Sequence, residues 1–302
     1  MRILILGGSG FIGRHLYQRL GPDLSVATYC LNPVSGMIRF DSLTMDLNRL
    51  LDRMDGISHA VILLGDVEPN SCFRNVKRSY ALNVESIKRI IDVLNERDIR
   101  CVFTSSHLVF DGKKGDYVEE DTPNPILLYG LQKVEIEEYI KKNCFEYTIF
   151  RVDKVYGSTP KDKTFFTNWV DALMGGQMII KCAADQRFSP IWVQDVVTSI
   201  HSVIEKDLHG LYHLSGPNSL LRTELLEMLI AALKAQMEIK VKVIPCSIHD
   251  FDLPEKRPVD VSMKPDKLIK HTGVVLHNPE LICRRIIESY FSLEESKQTL
   301  SH

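Results

Sequence analysis

The chain has 302 residues, 44% hydrophobic and 25% charged, with a formal net charge of −2, so it accommodates one large α/β domain or two modest ones with a real core. The near-neutral balance gives no reason to expect nucleic acid or an anionic membrane as partner, and no apolar run reaches bilayer-spanning length. "MRILILGGSG" is too short an apolar stretch for a signal peptide, and seven scattered cysteines without a C-x-x-C pair suit reduced thiols in a cytoplasm, with no zinc site or disulfide framework.

"RILIL" at 2–6 predicts a buried strand, and "FIGRHLYQRL" at 11–20 a helix with Phe11, Leu16 and Leu20 turned inward. "LSVATYC" and "HAVILLG" at 59–65 are further strands, "VKRSYALNVESIKRIIDVLNERD" has helical period, and "IRCVFTSS" at 99–106 is again a strand. The helix "PILLYGLQKVEIEEYIKKN", with a proline near its start, leads into the strand "EYTIFRV". Strands and helices alternating over short links predict right-handed crossovers and a doubly wound parallel sheet. After about residue 157 the rhythm changes. A helix "TFFTNWVDALMGG", a strand "QMIIKC", a helix "VQDVVTSIHSVIEK", then "GLYHLSG", a helix "RTELLEMLIAALKAQ", a strand "EIKVKVIP" and the amphipathic "PELICRRIIESYFSL" follow.

"ILILGGSGFIGRHL" places Gly7, Gly10 and Gly13 between the first strand and the first helix, the setting in which glycine spacing means dinucleotide binding. Gly7 permits the tight turn, Gly10 lets the backbone approach a pyrophosphate, and Gly13 lets helix and strand pack closely. With Phe11 and Ile12 they form the candidate phosphate-binding turn at a helix N-terminus; an ordinary glycine turn is the alternative. This predicts a Rossmann core over 1–157 and a smaller, mainly substrate-binding α/β lobe over 158–302, with one or two later pieces returning to the main sheet. No Pro/Gly/Ser linker separates the halves, so the two should share a cleft. The second strand ends in "ATYCLNP", with Tyr29 or Cys30 where an acid would hold an adenosine ribose. Without that carboxylate, cofactor choice leans to NADPH over NADH, and Arg14 either helps neutralise a 2′-phosphate or is a solvated helix arginine. Asp46 and Leu47 in "MDL" close over the adenine, or Asp46 caps a helix.

Of ten tyrosines, only Tyr129 has a lysine four residues on, Lys133, which puts both on one helix face a turn apart. An ammonium beside a phenol is expected to lower its pKa, fitting it to exchange a proton with a carbonyl or alcohol oxygen. Ser106, at the end of the preceding strand, is placed to hydrogen-bond the same oxygen. A solvated helix face is the bland alternative.

These segments, "GGSGFIG", "SSHLVFDG", "YVEEDTPNPILLYGLQKVEIEE", "DQRFSPIWVQDV", "GLYHLSG" and "KRPVDVSMKPDKL", resemble the extended short-chain dehydrogenase/reductases. Within that superfamily they are most similar to the dTDP-4-dehydrorhamnose reductase family of sugar-nucleotide reductases, nearly end to end. The resemblance implies that Ser106, Tyr129 and Lys133 are the catalytic triad, with Tyr129 and Lys133 also touching the cofactor. It implies that Leu63, Leu64 and Gly65 lie along the cofactor, that Asn83 supports a proton-relay water, and that Arg257 in "KRPVD" closes the sugar-nucleotide cleft. Loop packing for Leu63 and a surface salt bridge for Arg257 are the alternatives. Where the family usually has an acid and an aromatic after the serine, this chain has His107 and Leu108, and Lys154 stands where a tryptophan is often found. His107 and Lys154 either line the sugar pocket or lie on the surface; His107 has no second ligand at metal-binding spacing.

The function so implied is NAD(P)H-dependent reduction of a nucleotide-activated 4-keto-6-deoxy sugar in the cytoplasm, by an enzyme that the family suggests is a homodimer. Two alternatives remain open. One is an epimerase or dehydratase that retains NAD, although dehydratases usually carry an acidic pair where His107 and Leu108 stand. The other is a non-catalytic cofactor-binding subunit, since the regulatory subunit of methionine adenosyltransferase resembles the same family.

Overall fold

Ile3 to Leu6 are buried because their strand has helices on both faces and no solvent side. That strand, Arg2–Leu6 (β1), belongs to a seven-stranded parallel sheet in the computed structural model, which describes residues 2–299. The chain continues through Phe11–Leu24 (α1), Ser25–Tyr29 (β2), Ile38–Arg39 (β3), Leu47–Leu51 (α2), Ile57–Ile62 (β4), Pro69–Arg74 (α3) and Val76–Tyr80 (α4). A π-helical turn, Ala81–Glu85, joins α4 to Ser86–Glu96 (α5), and Arg100–Ser106 (β5), Leu128–Asn143 (α6) and Tyr147–Val152 (β6) follow. The second half adds Val155–Tyr156 (β7), Phe165–Met174 (α7), Ile179–Ala183 (β8), Arg187–Phe188 (β9), Ile191–Trp192 (β10), Val193–Glu205 (α8) and Gly210–Leu214 (β11). It closes with Leu220–Leu221 (β12), Arg222–Lys234 (α9), Lys242–Cys246 (β13), Asp266–Thr272 (α10) and Pro279–Thr299 (α11).

The sheet order is β11-β6-β5-β4-β1-β2-β3, so the winding reverses between β1 and β4. A crevice opens there beyond the carboxyl ends of the strands, where doubly wound sheets hold ligands. "GLYHLSG" is β11, running parallel to β6 from Gly210↔Thr148 to Leu214↔Val152. Val196, Val197, Ile200 and Val203 of α8 share a core with Ile3, Ile5 and Val102 of the main sheet. In the opposite direction, Val109, Phe110 and Tyr117 pack with α7, α9 and α11 under the second lobe. The chain therefore crosses between the lobes both ways. Among the described residues, no helix is long and apolar enough to cross a membrane.

Leu16 and Leu20 are buried, as the helical period predicts, but Phe11 is not a core residue. It sits in the first turn of α1, lines the crevice, and holds its ring edge-on to His15. One turn from a helix start, an inward-pointing side chain meets the cleft before it meets the core.

Candidate active site

The four residues between β1 and α1 form a tight turn. Gly7 has φ +91, and a Cβ there would lie 2.8 Å from the Leu64 backbone nitrogen. A Cβ on Gly13 would lie 2.3 Å from the Gly7 carbonyl oxygen, so only glycine lets α1 sit on the turn. Gly10 differs. Its φ of −72 and ψ of 173 suit any residue, and a Cβ there would have the Gly7 oxygen as its only close neighbour, at 3.2 Å. No side chain caps α1, so its first N–H groups are left for a ligand. The turn thus fits a dinucleotide pyrophosphate. Gly10→Val is expected to fold normally and to weaken NADP(H) binding about a hundredfold, because the added methyls take the space a phosphate needs. Fluorescence titration with unfolding as control would check this; unchanged affinity in the folded variant rejects the assignment.

Tyr129 and Lys133, 6% and 7% exposed, occupy the first turns of α6. Two distant contacts put them there. A Cβ on Gly130 would lie 2.2 Å from the Leu108 carbonyl oxygen, so this glycine lets α6 close onto the turn after β5. The Glu255 carboxylate then accepts from Leu128 N at 2.8 Å, capping α6 from another part of the chain. The Ser106 hydroxyl faces the Tyr129 phenol within hydrogen-bonding reach. Lys133 Nζ donates to the Thr104 carbonyl at 2.8 Å and lies 5.6 Å from the Tyr129 ring centre.

The expectation that Lys133 lowers the phenol's pKa is not met. Burial pushes the Tyr129 phenol well above its usual value, Cys72 and Asp66 add to this, and the bond from Ser106 offsets only part. Burial likewise lowers the Lys133 ammonium to about 8, against the pull of Cys72 and Glu137. Desolvation penalises phenolate and ammonium alike, and here it outweighs their mutual attraction. Tyr129 consequently keeps its proton at neutral pH, the form in which a general acid acts.

Asn83 lies on the π-helical turn and is buried. Its Oδ1 accepts from Asp66 N at 2.7 Å, and its Nδ2 donates to Asp66 O at 2.9 Å and to Gln132 Oε1 at 2.8 Å. Its amide ties the segment after β4 to α6, a positioning task that its helical spacing alone did not suggest. Leu63 and Gly65 line the cleft; Leu64 packs against the core under the sheet. Asp46 and Leu47 do not line it: Asp46 caps α2 by accepting from Asn48 N at 2.9 Å, and Leu47 is buried beneath that helix. Arg14 is committed to Asp162 at 2.9 Å, leaving it poorly placed to neutralise a phosphate.

The glycine turn and Tyr129 open into one cleft of about 590 Å³ that reaches the second lobe. His107, Lys154 and Arg257 line its far part together with Glu68, Gln186 and Arg222, which no local pattern in the sequence singled out. His107 Nδ1 meets the Val152 carbonyl at 3.0 Å, which assigns the proton to that nitrogen, and burial lowers the ring's pKa. Arg257 donates to Asn70 Oδ1, joining the "KRPVD" loop to the start of α3. Arg222 Nη1 donates to Gln186 Oε1 at 3.1 Å, with its guanidinium 5.6 Å from the Trp169 ring centre.

Residues 1–291 match the RmlD substrate binding domain family. The chain belongs to that family. A dTDP-4-dehydrorhamnose reductase of Sinorhizobium fredii is 24% identical over 303 residues, 95% of this chain and 97% of its own. The methionine adenosyltransferase 2 subunit beta of Mus musculus is 28% identical over 233 residues, 74% of this chain and 70% of its own. Among solved structures, the dTDP-4-dehydrorhamnose reductase of Bacillus anthracis in complex with NADP has a TM-score of 0.81 at 22% identity, covering 94% of this chain and 98% of that one. At that identity the likeness is one of fold, and it extends over both lobes of this family member.

Proposed function

We propose that this protein is an NAD(P)H-dependent reductase of a keto group on a nucleotide-activated sugar. The observation that carries the reading is the single cleft, lined by the glycine turn, by Ser106, Tyr129 and Lys133, and by Arg222 and Arg257. A bound nicotinamide dinucleotide would supply the hydride. Tyr129 holds the proton for the keto oxygen, Ser106 orients that oxygen, and Lys133 lies within reach of a ribose beside the tyrosine. The two guanidiniums suit a diphosphate, which accepts their paired N–H donors. The substrate relatives named for dTDP-4-dehydrorhamnose support a nucleotide sugar. Net oxidation of NADPH by a panel of nucleotide keto-sugars tests the reading. Turnover without net oxidation would replace it with an epimerase that retains NAD. Binding of NADP(H) with no turnover would favour the regulatory-subunit reading, which the likeness to methionine adenosyltransferase 2 subunit beta supports.

NADPH is the proposed cofactor, on an observation the sequence did not suggest. β3 pairs with β2 so that Arg39 stands opposite Tyr29, at the position where the acid is missing. Its guanidinium is exposed and acts on the neighbouring Cys30 thiol. Arg39→Ala is expected to weaken NADPH about tenfold and leave NADH within about twofold, because only the former carries a 2′-phosphate. Titration of both coenzymes decides it; equal losses, or a wild-type preference for NADH, reject the proposal.

A further inference from the structure

The substrate part of the cleft gathers three basic side chains. Lys154, Arg222 and Arg257 all line it, and among the described residues none of the three forms an ion pair. Arg222 bonds to the Gln186 amide and the Cys182 thiol, and Arg257 to the Asn70 amide and the Glu255 carbonyl. Lys154 Nζ makes no hydrogen bond at all to a described residue. It is packed round by protein yet remains accessible from inside the cleft.

Among the acids nearby, Glu255 and Glu68 act on Arg257. Asp153 is buried, and its two oxygens are engaged by backbone donors, Lys154 N at 2.6 Å and Ser189 N at 2.9 Å. Burial raises its carboxyl pKa, and His107, Lys154 and the two backbone donors oppose the rise. Glu68 caps α3 through Asn70 N and is exposed. After burial, the largest influence on the Lys154 ammonium is repulsion from Arg222, ahead of the attraction of Glu68 and Asp153.

Position separates the three. Val152, at the end of β6, pairs in register with Ser106, so Lys154 stands two residues beyond the strand end that carries the serine's partner. Arg222 starts α9 in the second lobe, and Arg257 is on the loop tied to α3. The two guanidiniums match a diphosphate's two charges, and the Lys154 ammonium, which acts on His107 next to Ser106, is the third cation.

We infer that the sugar carried by the nucleotide is a sugar acid, whose ring carboxylate Lys154 meets. The inference rests on the nucleotide-sugar reading of the cleft and names the sugar's charge. The ammonium is a compact point charge that can follow a single carboxylate, and its own backbone N–H is already fixed on Asp153.

Calorimetric binding to the NADP-loaded protein tests it, using glucose and glucuronate, each attached to UDP and to dTDP. Wild type is expected to bind the glucuronate form at least about tenfold more tightly than the glucose form of the same nucleotide. Lys154→Gln should remove that difference, and Lys154→Arg should keep most of it. Equal or weaker binding of the glucuronate form by wild type overturns the inference. So does a preference that survives in Lys154→Gln, with NADP binding confirming that the variant is folded. If neither sugar binds on either nucleotide while NADP does, the nucleotide-sugar reading itself fails and takes this inference with it.

Discussion

Tyr129→Phe is expected to lose about 10²–10⁴-fold in turnover while NADP(H) and the sugar nucleotide stay bound, the usual worth of a general acid. The ring remains, so the packing of this buried residue on α6 survives. The loss is confined to the hydroxyl, whose proton burial holds in place at neutral pH. Ser106→Ala should be milder, since it removes one contact to the substrate oxygen and leaves the donor. Lys133→Met should reduce both turnover and cofactor affinity, because the proposed reading gives the ammonium both the tyrosine and a cofactor ribose to serve. Single-turnover rates with a competent substrate, set beside binding constants for each variant, check the series. Wild-type turnover by Tyr129→Phe would remove the catalytic assignment and favour a regulatory role.

Glu137→Ala is expected to destabilise the fold by about 3–5 kcal/mol, the cost of leaving a buried charge without its partner. Glu137 lies one turn beyond Lys133 on α6 and is fully buried. Its Oε2 accepts from Arg151 Nη2 at 2.8 Å and its Oε1 from Ser105 Oγ at 2.5 Å. Arg151, buried in β6, has Nη1 already without a hydrogen-bond partner and rests its guanidinium 5.1 Å from the Phe110 ring centre. Alanine would strand that guanidinium between sheet and helix, directly behind the serine pair. Denaturant unfolding measures the loss, and a combined Glu137→Leu, Arg151→Met variant should recover part of it by removing both charges. A single variant within about 1 kcal/mol of wild type would show that water reaches Arg151 in its place.

What could be read along the chain was whatever depends on near neighbours. The glycine turn is a local conformation followed at once by a helix start, so Gly7 announced the tight turn and Gly13 the close packing of helix on turn. The spacing of Tyr129 and Lys133 is a property of a single helix, and the strand–helix alternation led to the parallel sheet for the same reason. Local competition left two readings for Asp46, closure over the adenine or a helix cap, and it caps a helix only five residues long.

The amino-acid sequence by itself determined the winding of the sheet, the glycine turn and the pairing of tyrosine with lysine, because each is set by backbone geometry within a few residues. Tertiary structure decided which residues surround them. Arg222 comes to the cleft from α9, Glu255 caps α6 across 127 positions, Arg39 reaches Tyr29 through a strand pairing, and Arg151 finds Glu137 between two layers. It also reversed the expected titration of Tyr129: the helical spacing supplies an attraction that operates over one turn, whereas the desolvation that outweighs it comes from the whole of the protein packed around the phenol.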